Sequence, residues 1–354
     1  MRADLLTLLL LSACTAGHPE DTSDWGGWTE GFAIFTGVSM DYSVGSLSAA
    51  SLSDRALYQN LTATSGDPVV RVDDGRVLQL NRFGYDTVRI YAPGTFSRPA
   101  LEFAVGDDED RSTNPQDARV CGGELFLTLY GRPYLPWYHP DTGQLRGQVD
   151  LRAFSDGDGV GPEASTLAER DGTLFVGLNR LDREDGWSDR GGYVVEIDCA
   201  SGAQGRAWPL GGNTSVWEGG PTGVLASARP YQGLPGGLFA VDEEPEPLWS
   251  PPEGEEITGV AADTRLALVT TLSSADLNTA RVWCVDLNTG SGAVAAETQQ
   301  LLSEVRMSPT GEAWLTVGWG LDGAAPELRI YSLSSCALVD RVTTTLAPFS
   351  VDFF

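Results

Sequence analysis

The sequence predicts an all-β chain folded as a seven-bladed β-propeller, with the C-terminal strand closing blade one. Three observations predict it. A short apolar strand starts at Ala33, Val77, Leu125, Leu174, Val224, Leu266 and Ala313, so successive copies lie 42 to 50 residues apart. Most copies are followed by a second strand that ends in a tight turn, as in Val194-Val195-Glu196-Ile197 before Asp198 and Gly202. The same pattern returns in Val282-Trp283-Cys284-Val285 before Asp286 and Gly290. Finally, the 354 residues include 42 Gly and 20 Pro, and no segment repeats apolar residues with the i, i+3, i+4, i+7 spacing of an amphipathic helix. Four short strands in about 47 residues, repeated seven times, is the period of a propeller. A β-sandwich offers only about seven strands in about 100 residues.

In chain order, residues 1–13 read as a signal peptide, 14–30 as a lipidated tether and 31–354 as the propeller. Arg2 precedes an apolar run from Leu5 to Leu11, broken by Thr7. That run is too short for a hydrocarbon core about 30 Å thick, but it suits the apolar region of a signal peptide. It ends in Leu11-Ser12-Ala13-Cys14. Small residues before a Cys resemble the lipobox of bacterial lipoproteins, which implies cleavage ahead of Cys14 and lipid on that residue. Several acyl chains on one residue anchor stably where one chain binds only marginally. Residues 15–30 are polar and Gly-rich, as a tether is.

In the repeat region, several first strands follow a turn signal such as Asp74-Gly75, Gly122-Gly123 or Asp171-Gly172. The first unit, near Phe32, lacks an innermost strand, whereas the apolar segment from Pro348 to Phe354 follows the seventh unit. The expectation is that this tail supplies the missing strand and protects the sheet edge. Apart from Cys14, the cysteines are Cys121, Cys199, Cys284 and Cys336, none spaced as C-x-x-C. Disulfides in an oxidising compartment are expected rather than zinc. Four cysteines allow three pairings. Cys121 and Cys199 fall at turns of adjacent blades, and Cys284, in an outer strand of blade six, lies beside the blade-seven turn at Cys336, which favours Cys121 with Cys199 and Cys284 with Cys336, with buried free thiols as the plainer reading.

The repeat resembles that of secreted bacterial seven-bladed propellers of the YVTN or surface-layer type. The matching pieces are Gly172-Thr173-Leu174-Phe175-Val176, Val194 to Asp198 with Ser201-Gly202, and Val285-Asp286-Leu287-Asn288-Thr289-Gly290. Blade five departs from the pattern, since Gly237 to Asp242 lacks the following Thr-Gly. The resemblance implies a propeller at the cell surface or in the periplasm and no particular activity.

Charge and composition exclude several functions. The formal charge is −26, and all 23 basic residues are Arg, with no basic stretch to neutralise phosphates, so nucleic acid is not an expected partner. Without Lys, Schiff-base and P-loop chemistry are excluded. The two His residues, His18 and His139, cannot form a three-His metal centre, and no Gly-x-Ser-x-Gly elbow accompanies His139.

The loops after the second strand and before the first strand of each blade share one face. On it the sequence places Arg82, Tyr130, Arg132, Arg180, Arg229 and Trp319 as candidate ligand-binding residues, with Arg183, Trp187 and Tyr231 nearby. Arg and aromatics are the types enriched at recognition sites. The plainer reading pairs these Arg residues with acids between blades. The acidic connection between blades three and four offers Asp156, Asp158 and Glu163 as candidate calcium ligands, although calcium wants six to eight oxygens and a solvated acidic loop fits the residues too. The function expected is a non-enzymatic, lipid-anchored cell-envelope module, monomeric, recognising a protein, peptide or glycan. It is located as an outer-membrane lipoprotein facing the periplasm or the cell surface. The alternative is an envelope lyase or hydrolase acting on carbohydrate or lactone through channel carboxylates, with or without calcium.

Overall fold

A computed structural model describes residues 31–92, 94–106, 112–155, 157, 158, 160–320 and 323–354. The signal peptide, the tether with Cys14, and Asp156 lie outside the described residues. Among the described residues every regular element is a strand except one 3-10 turn at Arg152–Phe154.

Apart from a two-stranded ribbon of Leu181–Asp182 and Ser188–Asp189, the strands form seven four-stranded antiparallel units. Blade two is typical: Pro68–Asp73 is innermost, followed outward by Arg76–Asn81, Thr87–Tyr91 and Leu101–Ala104. Blades four and five share a single 15-residue strand, Gln204–Glu218, which is outermost in blade four and innermost in blade five. The change of role falls at Gly211, whose φ is +153°. A Cβ there would meet the Arg229 carbonyl oxygen at 2.2 Å, so only glycine lets the two blades approach.

Side chains alternate along a strand, so one strand feeds the two spaces on either side of its blade. In blade three, Leu125 and Leu127 pack toward blade two, and Phe126 packs toward blade four. In blade four, Leu174 and Val176 face blade three, and Phe175 faces blade five. Both faces are buried, which explains why these strands read as continuous apolar runs. The core is therefore seven separate clusters, one at each junction between neighbouring blades.

The seventh junction closes the ring. Ala347–Phe353 pairs antiparallel with Phe32–Val38, matching Phe35 with Val351 and Ile34 with Asp352. It stands innermost in blade one, as the sequence leads one to expect. Val351 and Phe353 join Phe35, Trp314 and Ile330 in the cluster between blades seven and one. The innermost strands also touch in sequence around the ring, and that of blade seven touches Ala347–Phe353.

Two disulfides staple neighbouring blades. Cys121 is joined to Cys199 and Cys284 to Cys336, with Cα separations of 5.5 and 5.7 Å, inside the usual range. Each closes a long segment, of 78 and 52 residues. Replacing Cys121 and Cys199 together by Ala is expected to cost about 2–4 kcal/mol, read from the urea midpoint. An unchanged midpoint would show that the bridge does not constrain the unfolded chain.

Candidate functional site

The central channel is lined by the seven innermost strands, and its walls are unequal. Blades two, three, seven and one contribute Arg71 and Asp73, Asp117 and Arg119, Glu304 and Arg306, and Ser350 and Asp352. Blades four, five and six contribute mainly uncharged groups such as Thr166, Ser215, Trp217 and Thr258, together with Glu218 at the end of the blade-five strand. On the charged side, Arg71 bonds Asp117 through Nε and lies 3.0 Å from Glu304, which in turn pairs with Arg306 at 3.2 Å. Arg119 pairs with Glu218 and, at 3.7 Å, with Asp73.

These carboxylates also hold the backbone of the next blade. Asp117 accepts from the Leu167 N–H at 2.8 Å, Glu304 from Val351 at 2.9 Å and Asp352 from Val72 at 2.9 Å. Burial pushes the Asp117 and Glu304 carboxyls up, but the guanidinium groups of Arg71 and Arg306 outweigh it and hold both below their ordinary values. Burial prevails at Asp73 and raises it, against the opposing pull of Arg119. The cluster is a clamp between blades, with its acids engaged by guanidinium groups and backbone N–H groups.

Two cavities open into the channel, one at each end. The first, about 200 Å³, lies where the innermost strands begin and is lined by Arg71, Arg82, Gln116, Ser303 and Phe349 among others. The second, about 180 Å³, lies where they end, around Arg119, Glu218, Arg306 and Asp352. Trp217 lines both.

The face around the first cavity carries the loops that join the second and third strands. The structure places the sequence candidates there, and most are bound internally. Arg82 pairs with Asp67, donates to Gln116 Oε1 at 2.6 Å and stacks over Phe349. Arg132 is only 1 % exposed. Arg180 donates to the carbonyls of Phe154, Arg190 and Gly191, tying two loops together. Arg229 pairs with Asp189 and Glu256. The Tyr130 hydroxyl accepts from Asn179 at 3.3 Å, and burial raises its pKa. Arg183 lies over the Tyr130 ring. Trp319 lies one residue before the end of the second strand of blade seven, its indole N–H buried without an acceptor among the described residues.

Of the calcium candidates, Asp158 and Glu163 are among the described residues. Glu163 is fully buried; it accepts from the Leu181 N–H at 3.1 Å and lies 3.3 Å from Arg183 Nε. Asp158 accepts from Val160 N–H at 2.7 Å, two residues on. No group of three or more His, Cys, Asp or Glu that could hold a metal occurs among the described residues.

Apart from Trp187, the exposed loop tips were not legible in the sequence. Of the twelve large hydrophobic side chains exposed among the described residues, seven project from loops between second and third strands, all on this face. They are Met40, Tyr42 and Val44 in blade one, Phe83 and Tyr85 in blade two, Trp187 in blade four and Leu277 in blade six. Phe83 is 76 % exposed, Met40 69 %, Leu277 67 % and Tyr85 65 %. Four of the seven hold left-handed backbone: Tyr42, Phe83, Trp187 and Leu277, with φ between +45° and +65°. Bulky residues rarely adopt that region, because Cβ crowds the backbone there. These side chains neither pack in the core nor suit their backbone. The signal that could have found them is an apolar residue inside a short polar turn, as in Asn81-Arg82-Phe83-Gly84-Tyr85-Asp86.

No protein-family model matches the chain, nor does any curated protein. Among solved structures it is similar to TolB from Acinetobacter baumannii, with a TM-score of 0.50 and 11 % identity over 92 % of this chain and 67 % of that one. It is also similar to apo AztD from Citrobacter koseri, with a TM-score of 0.49 and 11 % identity over 91 % of this chain and 98 % of that one. Dihydro-heme d1 dehydrogenase NirN in complex with DHE gives 0.46 and 13 % over 90 % and 68 %. At such identity the likeness to TolB is one of fold, and with the strand topology it defines the chain as a β-propeller. No helix among the described residues is long and apolar enough to cross a membrane.

Proposed function

We propose that the chain is a non-enzymatic binding propeller of the bacterial cell envelope, anchored through lipid on Cys14, that docks a protein or peptide partner on the rim around the first cavity. The observation that carries this reading is the ring of exposed apolar side chains on one face, four of them in strained left-handed loops. Strain of this kind persists at sites where it serves a function. Aromatics and Met are enriched at protein interfaces, and an exposed apolar rim of this kind marks a docking surface. Orientation supports the anchor. The strand Phe32–Val38 enters from the opposite face, so a tether ending at residue 30 leaves the rim pointing away from the membrane.

Two results test this reading. A photoreactive p-benzoylphenylalanine at position 83 or 187 is expected to give a discrete adduct in intact cells. The same group at position 339, exposed in an outermost strand, is expected to give none. Equal adducts from both places, or none from the rim, would reject the docking face. Mass spectrometry of the mature protein is expected to find Cys14 first and acylated; an unmodified start elsewhere rejects the anchor. Phe83→Gly and Leu277→Gly are expected to leave stability unchanged or raise it by up to about 1 kcal/mol, while lowering the adduct yield from position 187 at least fivefold.

A further inference from the structure

The first cavity has a chemistry of its own, distinct from the apolar rim around it. Its charged groups are matched within the protein: Arg71 by Asp117 and Glu304, and Arg82 by Asp67. Several of its hydroxyls are also engaged. Thr166 accepts from the Val216 N–H at 2.7 Å, Ser350 accepts from the Val70 N–H at 3.1 Å, and Thr258 bonds Thr270 at 2.9 Å. By contrast, the hydroxyls of Ser215 and Ser303 and the indole N–H of Trp217 line the cavity and make no hydrogen bond among the described residues. Trp217 and Phe349 add aromatic surface to the wall.

From this ledger we infer that the cavity is a socket for one neutral, polyhydroxylated unit of the size of a single sugar ring. A charged ligand entering it would lose its water and find no unmatched counter-charge. A neutral sugar has hydroxyls that both donate and accept, as Ser215 and Ser303 do. Its C–H face can lie against Trp217 or Phe349. The volume of about 200 Å³ falls below that of pockets for drug-sized ligands and admits one ring. The socket opens within the rim but uses different residues, so it stands apart from protein docking.

Saturation-transfer difference NMR on the full-length protein tests it, with methyl glucoside, methyl galactoside and N-acetylglucosamine as neutral probes and glucuronate and glucosamine as charged ones. At least one neutral sugar is expected to show transfer at millimolar concentration, and the charged pair at least fivefold less. Ser303→Leu, which fills the cavity, is expected to reduce the neutral signal at least fivefold with an unchanged melting temperature. Should that variant fold poorly, Ser215→Val serves the same purpose. Phe83→Gly, on the rim, is expected to leave the sugar signal intact. No transfer from any neutral sugar, equal transfer from charged ones, or a signal that survives a folded filling variant would overturn the socket. None of these outcomes would alter the cross-linking expected from positions 83 and 187.

Discussion

A chain lacking residues 347–354 is expected to lose cooperative folding altogether, not to fray at one end. The deletion removes Val351 and Phe353 from the cluster between blades seven and one. Burying such side chains contributes about 1.5–3 kcal/mol each. It also takes away a strand ladder onto Phe32–Val38 and the acceptors for the Val70 and Val72 N–H groups, each bond worth about 1 kcal/mol. The sum exceeds about 5 kcal/mol, comparable with the whole stability of many domains. The blade-one edge left behind presents unpaired backbone groups, so aggregation is the expected outcome. A monomer with a single sharp thermal transition near that of the intact chain would contradict the closure.

The second large effect is expected from Arg71→Met. It leaves Asp117 and part of Glu304 as buried charges without their main partner, a loss of about 3–5 kcal/mol at neutral pH. The pH dependence gives the change a signature. In the intact protein both carboxyls are held below their ordinary values of 3.8 and 4.5. Their stabilisation is therefore present above those values and lost as pH falls through the lowered ones. In the variant, burial is less opposed and the same carboxyls take up protons at higher pH. The gap between the two proteins should be widest near pH 7 and narrow as pH falls below about 4.5. Urea unfolding at a series of pH values reads it directly. A gap that stays constant with pH would mean that Arg71 acts through packing and not through charge.

The second strands and the closing tail were legible because both faces of a blade are buried. A run such as Leu125-Phe126-Leu127 then stays apolar throughout, and Asp-Gly turns punctuate it. The disulfide pairing was legible because each pair of cysteines falls in adjacent blades. The channel clamp was not, because its members lie in different blades. Even so, it leaves a trace in the innermost strands as Arg71-x-Asp73, Asp117-x-Arg119 and Glu304-x-Arg306. The arginines of the loop face showed their type but not their partners: Asp67, Asp189 and Glu256 reach them from other segments. Apart from Trp187, the rim was not legible, because its exposed groups sit at the loop tips and not beside the strand ends. Left-handed backbone at Phe83 or Leu277 has no sequence signature, since glycine or asparagine is what that conformation ordinarily selects.

Native-state hydrogen exchange tests the ring most directly, because every placement of the rim and the socket depends on blade one being completed by the tail. The amides of Ile34 and Asp352, matched across the closing ladder, are expected to exchange as slowly as those of Leu174–Leu178 in blade four, all through global unfolding. Exchange of Asp352 within seconds, while blade four stays protected, would show that the tail is not part of the ring.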